Sequence, residues 1–211
     1  AGPDLSQWSD VKRSPRVTDA PSSLINYSGN VYDTLEIGAV AAVLQRCSEG
    51  FDENELKFTL AGPDLSRRAW TEQFGRHGVR LPIVYLGMLP FSESAETLAS
   101  SDLLLLPGQI GGPSYGPGAK IFDYLASGSP VLYFPANCPE SAALVASQGE
   151  SCCATSDPAV AETWMRGLFD AWKSNHVVRR PVGEIAGSGW RSYAESAHQY
   201  AVTVKSTVDG L

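Results

Sequence analysis

The 211-residue sequence is poor in the residues that build most metal and redox centres, with three histidines and four cysteines. His77, His176 and His198 are scattered, which argues against a histidine-based metal site. Cys47, Cys138, Cys152 and Cys153 form no C-x-x-C pair, and the adjacent pair cannot easily chelate one metal or close a normal disulfide. They read as reduced, mostly buried thiols of a cytoplasmic protein. No H-E-x-x-H motif is present, and no G-x-G-x-x-G follows the first strand-like run. The last absence makes a dinucleotide oxidoreductase a poor reading. No apolar run approaches the about 18 residues of a membrane-crossing helix, and no secretory leader opens the chain. Positive charge is short as well: 16 Lys plus Arg against 23 Asp plus Glu gives −7, an unfavourable balance for nucleic acid or an anionic membrane. The basic pairs Arg67-Arg68 and Arg179-Arg180 read as solvated faces rather than phosphate contacts.

What the chain does have is alternation. Hydrophobic residues make up 43%, enough for one well-cored domain with an appended arm. Strand-like runs at 24–29, 56–62, 82–87, 103–106, 130–134 and 151–154 alternate with helical patterns at 33–47, 66–77, 93–100, 120–128, 139–148 and 158–173, and a last helix is expected at 190–205. Asp33 or Thr34 reads as the cap of the first helix, and Gly78 as the stop of the second. Strand, helix, strand at this spacing predicts right-handed βαβ units: an α/β fold with a Rossmann-like, doubly wound parallel sheet. Residues 1–22 are polar and proline-containing and read as a linker or surface arm, 23–205 as the domain, and 206–211 as a tail.

The most informative run is 116–132, GPGAKIFDYLASGSPVL, which follows the apolar strand and a Gly- and Pro-rich loop. A glycine loop that feeds a helix N-terminus aims free N–H groups and a positive dipole end at an anion. Asp123 lies within the helix, near enough to meet a sugar hydroxyl attached to a bound phosphate. The combination predicts a nucleoside-diphosphate site at the carboxyl ends of the strands, where Gly29-Asn30, Gly62-Pro63, Gly87-Met88 and residues 107–118 all fall.

This run resembles the donor-binding segment of GT-B glycosyltransferases, and the chain from about 1 to 205 resembles the C-terminal half of that fold, in particular the retaining, family 4-like group that uses nucleotide-sugar donors. Residues 2–8 look like the stretch that follows the interdomain linker. Asn26-Tyr-Ser-Gly29 resembles the first strand and its glycine turn. Residues 58–62 and 85–107 resemble the middle strands, and Gly189-Trp-Arg-Ser-Tyr-Ala194 the start of the last helix. Residues 120–132 are similar to the specific "EAxAxGxPV" block. The family brackets its donor site with two acidic residues eight positions apart, the second on the ribose and the first on the sugar. Asp123 matches the second; Tyr115 stands where the first is expected. The family's Arg and Lys after the first strand are also missing, and Lys120 is a candidate substitute.

The resemblance implies sugar transfer from a nucleoside-diphosphate sugar to an acceptor, without a cofactor or an essential metal. It implies donor contacts from Gly29, Asn30, Tyr115, Gly116, Gly118, Ala119, Lys120 and Asp123, and base contacts from the loop at Gly87, Met88 and Leu89. Acceptor binding and the main catalytic contacts are expected from an N-terminal domain of the parent protein, so the isolated domain is expected to turn over little substrate. Trp190, Tyr193 and Tyr200 are expected near that domain. The parent is expected in the cytoplasm, with any membrane contact made by its other part. Two alternatives stay open: a degenerate, non-catalytic domain with a structural or partner-binding role, and a nucleotide-sugar 2-epimerase-like domain.

Overall fold

A computed structural model describes residues 5–13, 23–32, 35–52, 54–109, 119–174 and 179–185. Six strands, β1 (Ser23–Ser28), β2 (Leu56–Ala61), β3 (Ile83–Gly87), β4 (Leu103–Pro107), β5 (Val131–Phe134) and β6 (Cys152–Ala154), form one sheet in the order β3-β2-β1-β4-β5-β6. Every pairing is parallel. Six helices connect and cover it: α1 (Ile37–Ser48), α2 (Asp64–His77), α3 (Phe91–Ser100), α4 (Ala119–Ala126), α5 (Pro139–Ala146) and α6 (Pro158–Lys173). The strand order reverses between β1 and β4. In open α/β sheets that switch point is where a crevice opens at the carboxyl ends.

The two faces of the sheet bury separate cores, as the period-two pleat requires. Ile25, Tyr27, Phe58, Leu60, Leu103, Leu105, Leu132 and Phe134 point to the α1, α2 and α6 side. Leu104, Val131 and Tyr133 point to the α3, α4 and α5 side. The unbroken run Leu103-Leu104-Leu105 is buried on both faces for this reason.

Most element positions match the sequence expectation, with three differences. α1 begins at Ile37 with Glu36 in the cap position, later than expected; Asp33 and Thr34 lie outside the described residues. The expected surface arm over 1–22 exposes Ser6, Gln7, Ser9, Asp10 and Lys12 where it is described, and is anchored by one aromatic residue. Leu5–Trp8 is a 3-10 turn whose Trp8 is 2% exposed and meets Phe91 edge-on at 5.9 Å. A large aromatic buries too much apolar area to stay in water when a groove is at hand. The helix at 190–205, with Trp190, Tyr193 and Tyr200, and the tail at 206–211 lie outside the described residues.

The third difference corrects the reading of Arg179-Arg180 as a solvated pair. Both side chains fold under the sheet, opposite the crevice, and join Arg13 there. Arg179 pairs with the buried Asp102 at 2.5 Å and donates to Ala99 O at 3.0 Å. Arg180 donates to Gln148 Oε1 and Ser129 O. Arg13 donates to Ala99 O, Ser127 O and Arg180 O. Ala99 O and Ser127 O lie at the ends of α3 and α4, so these guanidinium groups meet the negative ends of two helix dipoles. Arg67 and Arg68 do stay largely exposed, both paired with Asp64.

Candidate functional site

Three strands end in glycine turns that stack on one another. Gly29 N–H donates to Ala61 O, and Gly62 N–H to Gly87 O, both at 2.8 Å. Gly29, Gly62 and Gly87 all have positive φ. A Cβ on Gly62 would sit 2.5 Å from Gly29 O, so only glycine lets these turns approach. Ser66 fastens the stack, donating to Gly29 O and accepting from Val31 N. Tyr124, on α4, locks the neighbouring strand end by accepting from Ser28 N at 2.8 Å.

The N-terminus of α4 faces this floor across the switch point. Between them lies a cavity of about 370 Å³, of the size that small ligands occupy. Among the described residues it is lined by Asn30, Tyr32 and Leu35 after β1, by 106–109 at the end of β4, by Ala119, Lys120 and Ile121 of α4, and by Tyr133, Asn137 and Ser141 from β5 to α5. Asn137 ties two of these segments together: its amide donates to Gln109 O and accepts from Gln109 N and Tyr133 Oη.

Lys120 is the charge-bearing group of the cavity. Its chain crosses the end of β1, and Nζ donates to Tyr27 Oη at 2.6 Å and to Asn30 O at 3.4 Å. Tyr27 Oη in turn donates to Asn30 O at 2.5 Å. Nζ is also 4.1 Å from the Tyr27 ring centroid, beside the ring rather than squarely above it. Gly29 makes room, since a Cβ there would lie 2.8 Å from Lys120 Cε. Among the described residues no carboxylate stands within ion-pair distance of Nζ. Burial therefore pushes the Lys120 amine down to about 7. Burial likewise raises the Tyr27 phenol, which stays neutral throughout the physiological range.

The structure brings Gly29, Asn30, Ala119 and Lys120 together. Asp123 lies one turn further along α4 and is not part of the cavity wall; it is half-buried and its carboxyl is raised by burial. Gly87 ends β3, two strands from β1, Met88 and Leu89 follow it, and none of the three lines this cavity. Met88 is 74% exposed, an apolar side chain held out to solvent. Tyr115, Gly116 and Gly118 lie outside the described residues. Sequence reasoning missed Tyr27, Tyr32, Gln109, Tyr133, Asn137 and Ser141. The available signal was Tyr27, the one aromatic residue of β1, two positions before the turn glycine. Among the described residues no cluster of His, Cys, Asp and Glu could hold a metal ion, and no helix is long and apolar enough to cross a membrane.

No family model matches the sequence, and no curated protein is similar to it. Solved structures are similar to it. Alr3699/HepE from Anabaena, seen in complex with UDP and glucose, aligns at a TM-score of 0.66 with 14% identity over 97% of this chain and 55% of its own. AviGT4, a glycosyltransferase involved in avilamycin A biosynthesis, aligns at 0.59 with 21% identity over 100% of this chain and 58% of its own. A Listeria monocytogenes structure assigned as a UDP-N-acetylglucosamine 2-epimerase aligns at 0.53 with 14% identity over 90% and 46%. The chain therefore spans about half the length of these proteins. The likeness shows the fold: an α/β, Rossmann-like domain of the kind that forms the C-terminal half of GT-B glycosyltransferases.

Proposed function

We propose that this chain is the donor domain of a glycosyltransferase and binds a nucleoside-diphosphate sugar at the carboxyl ends of β1 and β4. One observation carries the reading: the Lys120 amine is built into a cavity beside a helix N-terminus with no carboxylate partner among the described residues. A partly buried cation without a counter-charge gains when an anion arrives. The likeness to a structure solved with UDP and glucose supports a diphosphate as that anion.

In this reading the chemistry is departure of the diphosphate from the sugar carbon. Negative charge grows on the leaving oxygens, and fixed donors stabilise it without reorganising. Lys120 and the Ala119 N–H supply such donors, and Asp123, one turn further along α4 and outside the cavity wall, is the carboxylate that the resemblance assigns to the ribose. No residue of this chain is assigned proton transfer to an acceptor. That step is expected from another domain of the parent protein, so the isolated chain should turn over little or no substrate.

A 2-epimerase reading has the weaker support. Among the described residues the one histidine is His77, at the end of α2 beside Gly38, away from the cavity.

Calorimetric titration with UDP, GDP and ADP tests the proposal. One diphosphate should bind, and Asp123→Ala should weaken it by about 1.5–3 kcal/mol, or about 10- to 150-fold, while the circular dichroism spectrum stays unchanged. Absence of binding to all three nucleotides would sink the reading in favour of a non-catalytic domain.

A further inference from the structure

We infer that Lys120 stands as a neutral amine in the ligand-free cleft and takes up a proton as the diphosphate enters, so that ligand binding and charging of this one side chain are a single coupled event. The inference rests on the donor-site reading above and adds the protonation state of its cation. The geometry gives three grounds.

The first is the surroundings of Nζ. β1 contributes the Tyr27 phenol at 2.6 Å, and the turn after it contributes Asn30 O at 3.4 Å. An ammonium has three protons to place, and these two acceptors, one of them long, serve it poorly. The second is the set of charged and titratable groups that face it among the described residues. From the β1 turn comes Tyr32, whose hydroxyl is engaged by the Asn30 amide at 3.2 Å. From β4 come Gly108 and Gln109, and from β5 and α5 come Tyr133, Asn137 and Ser141, all uncharged. On its own helix Asp123 is three residues on and does not offset the burial of the Lys120 amine. The third is the helix itself: Nζ belongs to the second residue of α4, where the positive end of the dipole opposes a cation. Burial adds to these and sets the free amine near neutrality.

A diphosphate reverses all three conditions. Its oxygens accept the remaining N–H bonds and its charge favours the ammonium. The proton comes from solvent: amine plus H⁺ gives ammonium, and no covalent bond to the ligand forms or breaks. Above the free amine's midpoint each bound ligand must draw in close to one proton. Affinity then falls by up to tenfold per pH unit as pH rises from about 7.5 to 9. An arginine in the same place, always charged, would show neither effect.

The test titrates UDP, GDP and ADP into the chain at pH 8 in HEPES and in Tris, whose ionisation heats differ widely. For the nucleotide that binds, the difference in heat should report nearly one proton taken up. Lys120→Arg should bind with no uptake, and Lys120→Met should bind more weakly with an affinity flat between pH 7.5 and 9. Buffer-independent heat in the unmodified chain, or uptake that persists in Lys120→Arg, would overturn the inference while leaving the donor site standing. A second measurement needs no nucleotide. The pH dependence of Lys120 acetylation by acetic anhydride, read by mass spectrometry, should inflect near 7. An inflection near the ordinary lysine value of about 10.4 would refute the neutral amine. Failure of every nucleotide to bind would instead remove the donor-site reading, and this inference with it.

Discussion

Alanine substitutions at three glycines separate backbone strain from steric contact, and they test whether the stacked turns exist as described. Gly50 has φ +90° and nothing within 4 Å of the position a Cβ would take, so Gly50→Ala costs strain alone, about 1–2 kcal/mol. Gly62 has φ +146°, and its added Cβ would lie 2.5 Å from Gly29 O, a backbone atom held by Ser66 Oγ in a residue whose N–H is held by Ala61 O. Strain of about 1–3 kcal/mol then adds to an overpacking cost of about 1–3 kcal/mol. Gly29 lies between these. It has φ +113°, and its Cβ would meet Lys120 Cε at 2.8 Å, a side-chain atom that can swing away. Strain is joined there by loss of the Lys120–Tyr27 hydrogen bond, about 0.5–1.5 kcal/mol. Urea melts should rank the losses Gly50→Ala, then Gly29→Ala, then Gly62→Ala. Thermal midpoints should fall by roughly 2–4 °C per kcal/mol for a chain of this size. Nucleotide titration supplies the second axis: Gly29→Ala should weaken binding at least about tenfold by displacing Lys120, and Gly50→Ala should not change it. If Gly62→Ala proves no worse than Gly50→Ala, the two turns do not touch and the account of the site floor is wrong.

Other outcomes follow from single contacts. Arg179→Met removes the guanidinium from the buried Asp102 carboxylate and should cost about 3 kcal/mol in a denaturant melt, with Asp102→Asn in the same chain restoring part of it. If Arg179→Met melts like the unmodified chain, that pair contributes nothing. Asn26 is fully buried in β1, and neither its Oδ1 nor its Nδ2 has a hydrogen-bond partner among the described residues. Asn26→Val should thus leave stability unchanged or raise it by about 1–2 kcal/mol, and a loss above about 1 kcal/mol would show that the amide has a partner in solution. The depressed Lys120 amine also marks the stability of the ligand-free chain. Between about 7 and the ordinary lysine value of about 10.4 the unfolded chain binds more protons at this residue, so its contribution to stability rises with pH across that window. Lys120→Met should remove this component, and an unchanged pH slope in the variant would place the titration elsewhere.

The sheet was readable because parallel strands leave a strong local mark: Leu103-Leu104-Leu105 is apolar on both faces, and Gly78 and Gly128 end their helices with the positive φ that other residues resist. The candidate site was half readable. Gly29, Asn30, Ala119 and Lys120 announce themselves through turn and helix-start chemistry. Tyr27 does not, because its bond to Lys120 joins positions 93 residues apart and its ring looks like ordinary core. Trp8 was hidden by the absence of periodicity in a single four-residue turn. Arg179 and Arg180 were misread because charge predicts exposure only when no carbonyl is waiting, and here the waiting carbonyls belong to the ends of helices distant in sequence.

The arginine cluster beneath the sheet divides the molecule by its response to acid and base. Apart from Asp102, the acceptors of Arg13, Arg179 and Arg180 described above are carbonyl oxygens, which gain no proton anywhere in the range a cell experiences, and guanidinium does not lose one. The lower rim therefore holds its shape at any physiological pH. The Lys120 amine, whose charge changes near neutrality, sits at the upper rim. A scaffold that is indifferent to protons on one side lets the other side respond to them without loosening the whole.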